Sequence, residues 1–165
     1  DVRKLFIEEF EPYFIEKYNQ ISSGIESVTL SYKSDLSEKT MNEVLKESLK
    51  KDFILQYTSS GVHKDDLLFN IDDYSVKKFG SQGQQKSFII ALKLAQFEYL
   101  KEKTGSSPIL LMDDIFDKLD FDRVKNIVKI VNVTSFGQLF ISDTDEDRIN
   151  KVLKSLNLSS KIFNL

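Results

Sequence analysis

The sequence has 165 residues, 41% of them hydrophobic and 30% charged, the balance of one globular domain or of one domain with a small appendage. Its 23 basic against 26 acidic residues give a net charge of −3, which excludes a globally basic nucleic-acid binder but leaves room for a local basic patch. With no cysteine and a single histidine, it excludes disulfides, thiolate metal sites, a cysteine nucleophile and a histidine-rich metal centre.

No apolar run approaches the roughly 20 residues that span a bilayer, and no signal peptide is present, so a cytoplasmic location without membrane contact is expected. The chain opens on Asp1 with a helical pattern already under way, which reads as a fragment of a longer protein. Apolar residues at Val2, Leu5, Phe6, Phe10, Tyr13, Phe14, Tyr18 and Ile21 predict an amphipathic helix over 2–21, interrupted at Pro12 and ended by Ser22-Ser23-Gly24. Val28, Leu30 and Tyr32 alternate with polar neighbours as a half-buried strand. Met41, Val44, Leu45 and Leu49 mark a second helix from Ser37 to about Lys51. After Ser59-Ser60-Gly61 the pattern predicts a hairpin, with strands Leu67–Ile71 and Tyr74–Phe79 about Asp72-Asp73.

Gly80-Ser81-Gln82-Gly83 then precedes a long helix, about Gln84 to Lys103, apolar on so many faces that it must be largely buried. Ile109-Leu110-Leu111-Met112 is a continuous apolar run ending in Asp113-Asp114, the pattern of a central parallel strand. A helix near Phe121–Val131, a strand Gln138–Ile141, a helix near Asp145–Leu156 and a short strand Lys161–Phe163 follow. Such strand–helix alternation predicts βαβ units and a mostly parallel sheet.

Ligands of open parallel sheets bind beyond the carboxyl ends of the strands. A carboxylate pair there suits a hard cation such as Mg²⁺ shared with phosphates, although two aspartates can also simply solvate a strand exit. The stretch Gly80–Ser87 superficially resembles a phosphate loop, but Gln85 stands where the second glycine is required and the preceding strand is not apolar. What remains is a polar, Gly-containing turn at a helix start, open to an anion or to plain capping by Ser81. His63 in its turn reads as a hydrogen-bonding strut. Lys50-Lys51, Lys64 and Lys77-Lys78 read as solvated surface, with DNA phosphate contact as the other reading.

Taken in order, Ser81-Gln82-Gly83-Gln84 opening a long helix, a strand ending in Asp113-Asp114, and Leu119-Asp120 resemble the signature motif, Walker B and D-loop of ABC-type ATPases. Gly80-Ser81-Gln82-Gly83-Gln84-Gln85, Leu92-Lys93-Leu94-Ala95, Ile109–Asp114 and Gly61-Val62-His63-Lys64-Asp65-Asp66-Leu67 together are similar to the C-terminal half of the RecF family, over residues 58 to about 145. The implied fold is α/β: the C-terminal lobe of an ABC-type P-loop ATPase, with a mostly parallel sheet flanked by helices, at 58–165, plus part of a helical arm subdomain at 1–57.

By that resemblance Ser81, Gln82, Gly83 and Gln84 bind, in trans, the ATP of an opposing subunit. Asp113 holds Mg²⁺, Asp114 orients the attacking water, and Leu119-Asp120 form the D-loop at the dimer contact. Asp117 replaces the usual D-loop serine, Asp143 stands near the place of a switch histidine, and Val62 and Lys64 replace Pro and Arg of the family element. The resemblance implies a slow, DNA-stimulated ATPase of DNA replication, repair and the SOS response. Such a protein forms an ATP-dependent homodimer, binds single-stranded, gapped or junction DNA, and works with recombination mediator proteins in recombinase loading. Without a Walker A the chain alone is expected to be inactive. The rival readings are another SMC-like ATPase, such as an ATP-dependent nuclease, and a non-hydrolysing interaction module.

Overall fold

Ile7, Phe10, Phe14, Tyr18 and Ile21 recur at helical spacing and form the buried stripe of the first helix, α1 (Val2–Ser22). The helix runs unbroken through Pro12, which lies on its exposed side. Burial of five large apolar side chains, each contributing about 1.5–3 kcal/mol, outweighs the roughly 3 kcal/mol cost of an interior proline. The computed structural model describes residues 2–114, 117–133, 138–144, 146–155 and 161–163. Two expected helix ends, Asp145 and Leu156, lie outside the described residues.

Strand β1 (Val28–Lys33) pairs antiparallel with β2 (Asp66–Ile71), with Val28 opposite Ile71 and Lys33 opposite Asp66. Between them, the helix placed at 37–51 forms later, as α2 (Met41–Leu55), where Thr40 and Glu43 make a capping box. The expected strand Tyr74–Phe79 is corrected to the two-residue β3 (Tyr74–Ser75) followed by one helical turn, α3 (Val76–Phe79). Val76 is buried in the core and the Gly80 N–H donates to its carbonyl at 2.9 Å, so the chain coils there instead of continuing the ladder.

The longest helix, α4 (Gln82–Thr104), ends at Gly105, whose φ of 67° and N–H bond to the Lys101 carbonyl (2.9 Å) make a left-handed cap. It packs along α1 through Phe88, Ala91, Leu94 and Ala95. Phe14 sits 4.7 Å from the Phe88 ring, and Phe88 reaches Tyr18 at 5.2 Å and Phe69 of β2 at 5.6 Å. Polar rungs flank this seam: Tyr13 donates to Glu102 (2.6 Å), Tyr99 to Glu9 (3.1 Å), and the buried Lys17 pairs with Glu98.

Strand β4 (Ile109–Asp113) pairs in parallel with β5 (Gln138–Ser142) across a connection carrying α5 (Phe121–Val133); α6 (Glu146–Ser155) follows. The continuous apolar run of β4 predicts burial on both faces, but among the described residues only one is covered. Leu110 and Met112 are buried, whereas Ile109 and Leu111 are 60% and 73% exposed beside the exposed Phe140. Residues 161–163, expected as a strand, are exposed and unpaired in any sheet. Among the described residues, no helix is long and apolar enough to cross a membrane.

Candidate functional site

The residues singled out in the sequence converge on the first turn of α4 and the carboxyl end of β4. Ser81 caps α4: its Oγ accepts from the Gln84 N–H (3.2 Å), and its own N–H donates to Gln84 Oε1 (2.8 Å). The N–H groups of Gln82 and Gly83, in the first turn, have no intrahelical acceptor, as at any helix start. Together with the macrodipole they make this turn favourable to an anion. Gly83 lies close under the following loop: a Cβ there would come within 3.2 Å of the Lys118 carbonyl, which would have to give by a few tenths of an ångström.

Asp113 ends β4, and its carboxylate accepts from the Ser142 hydroxyl. Asp114 takes a left-handed conformation (φ 47°); its N–H donates to the Ser142 carbonyl (3.1 Å), and its own carbonyl accepts from Lys86 Nζ (2.7 Å). Lys86 therefore ties the first turns of α4 to the strand end that carries the carboxylate pair. Among the described residues, no group of three or more His, Asp or Glu side chains gathers as a metal site. The hard oxygen donors available to a divalent cation here are Asp113 and Asp114, a set that suits Mg²⁺ completed by water and phosphate. Leu119 is buried in the core, and Asp120 caps α5, its carboxylate accepting the Arg123 N–H at 2.8 Å. His63 Nε2 donates to the Thr58 carbonyl (3.0 Å), the bond of a strut.

Sequence reasoning missed the residues that hold this region in place. Glu26 Oε1 accepts from Gln84 Nε2 (2.9 Å) and Arg123 Nη2 (2.9 Å), while Glu26 Oε2 accepts from the Tyr18 hydroxyl (2.6 Å). Arg123 also donates to Ser87 Oγ (2.9 Å) and lies 3.3 Å from Asp120 Oδ2. One signal was available: an arginine in the first turn of a helix opposes the macrodipole and calls for an acidic partner.

Burial works against ionisation of Glu26, but the hydrogen bonds from Tyr18, Gln84 and Arg123 outweigh it and hold its carboxyl below the usual carboxylate range. The same junction, with burial leading, pushes the Tyr18 phenol up. A depressed folded-state carboxyl contributes stability that is fully present above its unfolded value near 4.5 and is lost as pH falls through the folded value. Urea titrations from pH 7 to 3 should therefore show the stability gap between the native chain and Glu26→Gln narrowing below about pH 4.5. A gap that stays constant down to pH 3 would mean that the junction carries no ionised Glu26.

No family model matches the chain. It is 58% identical over 163 residues to the DNA replication and repair protein RecF of Flavobacterium johnsoniae, covering 99% of this chain and 45% of that protein. To RecF of Phocaeicola vulgatus it is 47% identical over 162 residues, 98% of this chain and 44% of the relative. The chain thus spans somewhat under half the length of the curated relatives it matches. Among solved structures, the recombination mediator protein RecF-ATPrS in the RecFOR pathway matches 88% of the chain and 41% of its own, at 28% identity and TM-score 0.67. An SMC head bound to the C-winged helix domain of ScpA matches 89% of the chain and 38% of its own, at 18% identity and TM-score 0.53, a likeness of fold alone. The resemblance to RecF carried by the motifs at 58–145 therefore holds across nearly the whole chain, and the α/β ATPase-head fold it implied is borne out.

Proposed function

We propose that this RecF-like chain is the C-terminal half of a DNA replication and repair protein, an ATPase that dimerises on ATP and acts on DNA with single-stranded gaps or junctions in recombinase loading. Residues 1–57 are read as part of its arm and 58–165 as the lobe that carries its half-sites. The observation that carries the reading is the Lys86–Asp114 contact, which brings the anion-ready turn of α4 and the carboxylate end of β4 into one neighbourhood. That a related RecF has been solved with ATP supports a nucleotide as the anion.

In this reading Ser81 and the first-turn N–H groups of α4 meet the γ-phosphate of ATP bound by the opposing subunit. Asp113 would hold Mg²⁺, which when bound neutralises phosphate charge. Asp114, exposed and with its backbone held by Lys86 and Ser142, orients the water for in-line attack. Asp120, held by Arg123, lies at the subunit contact. The nucleotide is then shared by both subunits only in the closed state, so ATP acts as dimer glue.

The test is steady-state ATP hydrolysis by the intact protein, with and without gapped DNA. Asp114→Asn keeps the shape and hydrogen-bonding reach but removes the negative charge, and should slow turnover about tenfold or more while ATP-driven dimers persist. Unchanged turnover would remove Asp114 from the chemistry. Turnover absent from the native protein as well would favour a non-hydrolysing interaction module.

A further inference from the structure

Gln84 spends its side-chain amide in two directions, and this singles out Glu26. An amide has one acceptor and two donors, whereas a carboxylate only accepts. Glu26 Oε1, 2.9 Å from Gln84 Nε2, therefore fixes which end of the amide faces which neighbour, and leaves Gln84 Oε1 facing the Ser81 N–H at 2.8 Å. With its N–H engaged and its Oγ accepting from the Gln84 N–H, Ser81 retains the hydroxyl proton as an outward donor. Glu26 itself is held from three sides, by Tyr18 of α1, Gln84 of α4 and Arg123 of α5. The remaining arms of Arg123 reach Ser87 Oγ, which donates onward to the Gly83 carbonyl (2.8 Å), and the Asp120 carboxylate. Ser87 and Tyr18 are fully buried, so water does not compete at either of these two partners.

We propose that Glu26 and Arg123 are positioning residues: through Gln84 they set the orientation of Ser81 toward the partner's nucleotide, and through Asp120 they keep that turn in register with the subunit contact of the same protomer. This rests on the reading of Ser81–Gln84 as the signature. In a two-fold dimer Ser81 serves the opposing subunit's nucleotide while Asp113 and Asp114 serve the protomer's own. The junction thus links the two composite sites within one chain, and Tyr18 connects both to α1.

Two conservative variants separate geometry from charge. Glu26→Gln keeps an acceptor at the Oε1 position and loses the charge; Glu26→Asp keeps the charge but falls one methylene short of Gln84. ATP-driven dimerisation of the intact protein is followed by light scattering, well below each variant's unfolding temperature. The expected result is dimer affinity weakened about tenfold or more in Glu26→Asp, the scale of a lost cap felt at two signatures per dimer, and a change of no more than about threefold in Glu26→Gln. Equal losses, a larger loss in Glu26→Gln, or native behaviour of Glu26→Asp overturns the positioning role. A native protein that stays monomeric with ATP overturns the signature reading itself, a failure distinct from any pattern among the variants.

Discussion

Replacing Ser81 with arginine in the intact protein is expected to abolish ATP-driven dimerisation while leaving ATP binding by the monomer in place. The substitution has three effects at one atom's position. It removes the Oγ that accepts the Gln84 N–H at 3.2 Å, a cap contributing about 1 kcal/mol. It sets a cation beside the positive end of the α4 macrodipole. It also fills the space in front of the first turn with a long side chain. The first effect weakens one helix start and leaves the domain folded, because α4 is held by its buried stripe and not by its cap. The second and third fall where a γ-phosphate would sit, and two-fold symmetry imposes them twice per dimer. Together they should lower dimer affinity by about a hundredfold or more. Ser81→Ala, which loses the cap and adds no bulk, should lose about tenfold. Dimers of Ser81→Arg that persist in light scattering would remove Ser81 from the subunit contact; ATP binding by the monomer, measured by calorimetry, separates this from a damaged nucleotide site.

The largest effect on stability is expected at Phe14. Its ring has no exposed surface and lies between Phe88 of α4 and Tyr18 of its own helix, where the stripe of α1 meets the longest helix. Truncation to alanine removes the ring and leaves a cavity between two helices joined by polar rungs farther along α4, which limits how far the site can collapse to fill it. The expected cost is about 3–5 kcal/mol in urea denaturation at neutral pH, a large fraction of the 5–15 kcal/mol typical of a domain. Phe53→Ala serves as the internal comparison: Phe53 is 77% exposed on α2, and its truncation should change stability by less than about 0.5 kcal/mol. A loss at Phe14 below about 1.5 kcal/mol would mean that α1 is not seated on α4 as described.

The parts of the fold legible in the sequence are those encoded locally. The long helix expected at about Gln84 to Lys103, the capping by Ser81, and the apolar strand closed by Asp113-Asp114 rest on near neighbours in the chain and emerge within a residue or two of the expected positions. Local signals also misled. Alternation at 74–79 has the look of a strand, but one buried valine and a glycine able to close the turn decide for a helical turn. The junction was hidden for a different reason: Glu26 meets Gln84 and Arg123 across 58 and 97 residues, in a loop with no periodicity to read. The seating of α1 on α4 is equally non-local. An amphipathic stripe announces that a helix is covered but not by what; contacts such as Tyr13 with Glu102, Lys17 with Glu98 and Phe14 with Phe88 name the partner.

That seam also sets a schedule for folding. Two of the rungs joining α1 to α4, Tyr13–Glu102 and Tyr99–Glu9, link residues 89 and 90 positions apart, so the helix made first must wait for the one that covers it. At about 5–20 residues per second, a ribosome needs roughly 5–18 seconds to deliver α4 after α1 has emerged. For that interval Phe14 and Tyr18 lack the Phe88 ring that covers them and α1 has the early-made β1 but not α4 against it, so this half-covered stripe is the surface a chaperone or a neighbouring nascent chain meets first. Slower decoding between the codons for Ser22 and Thr104 lengthens this exposure without altering a single contact of the finished protein, so the yield of folded chain should depend on translation speed across that stretch.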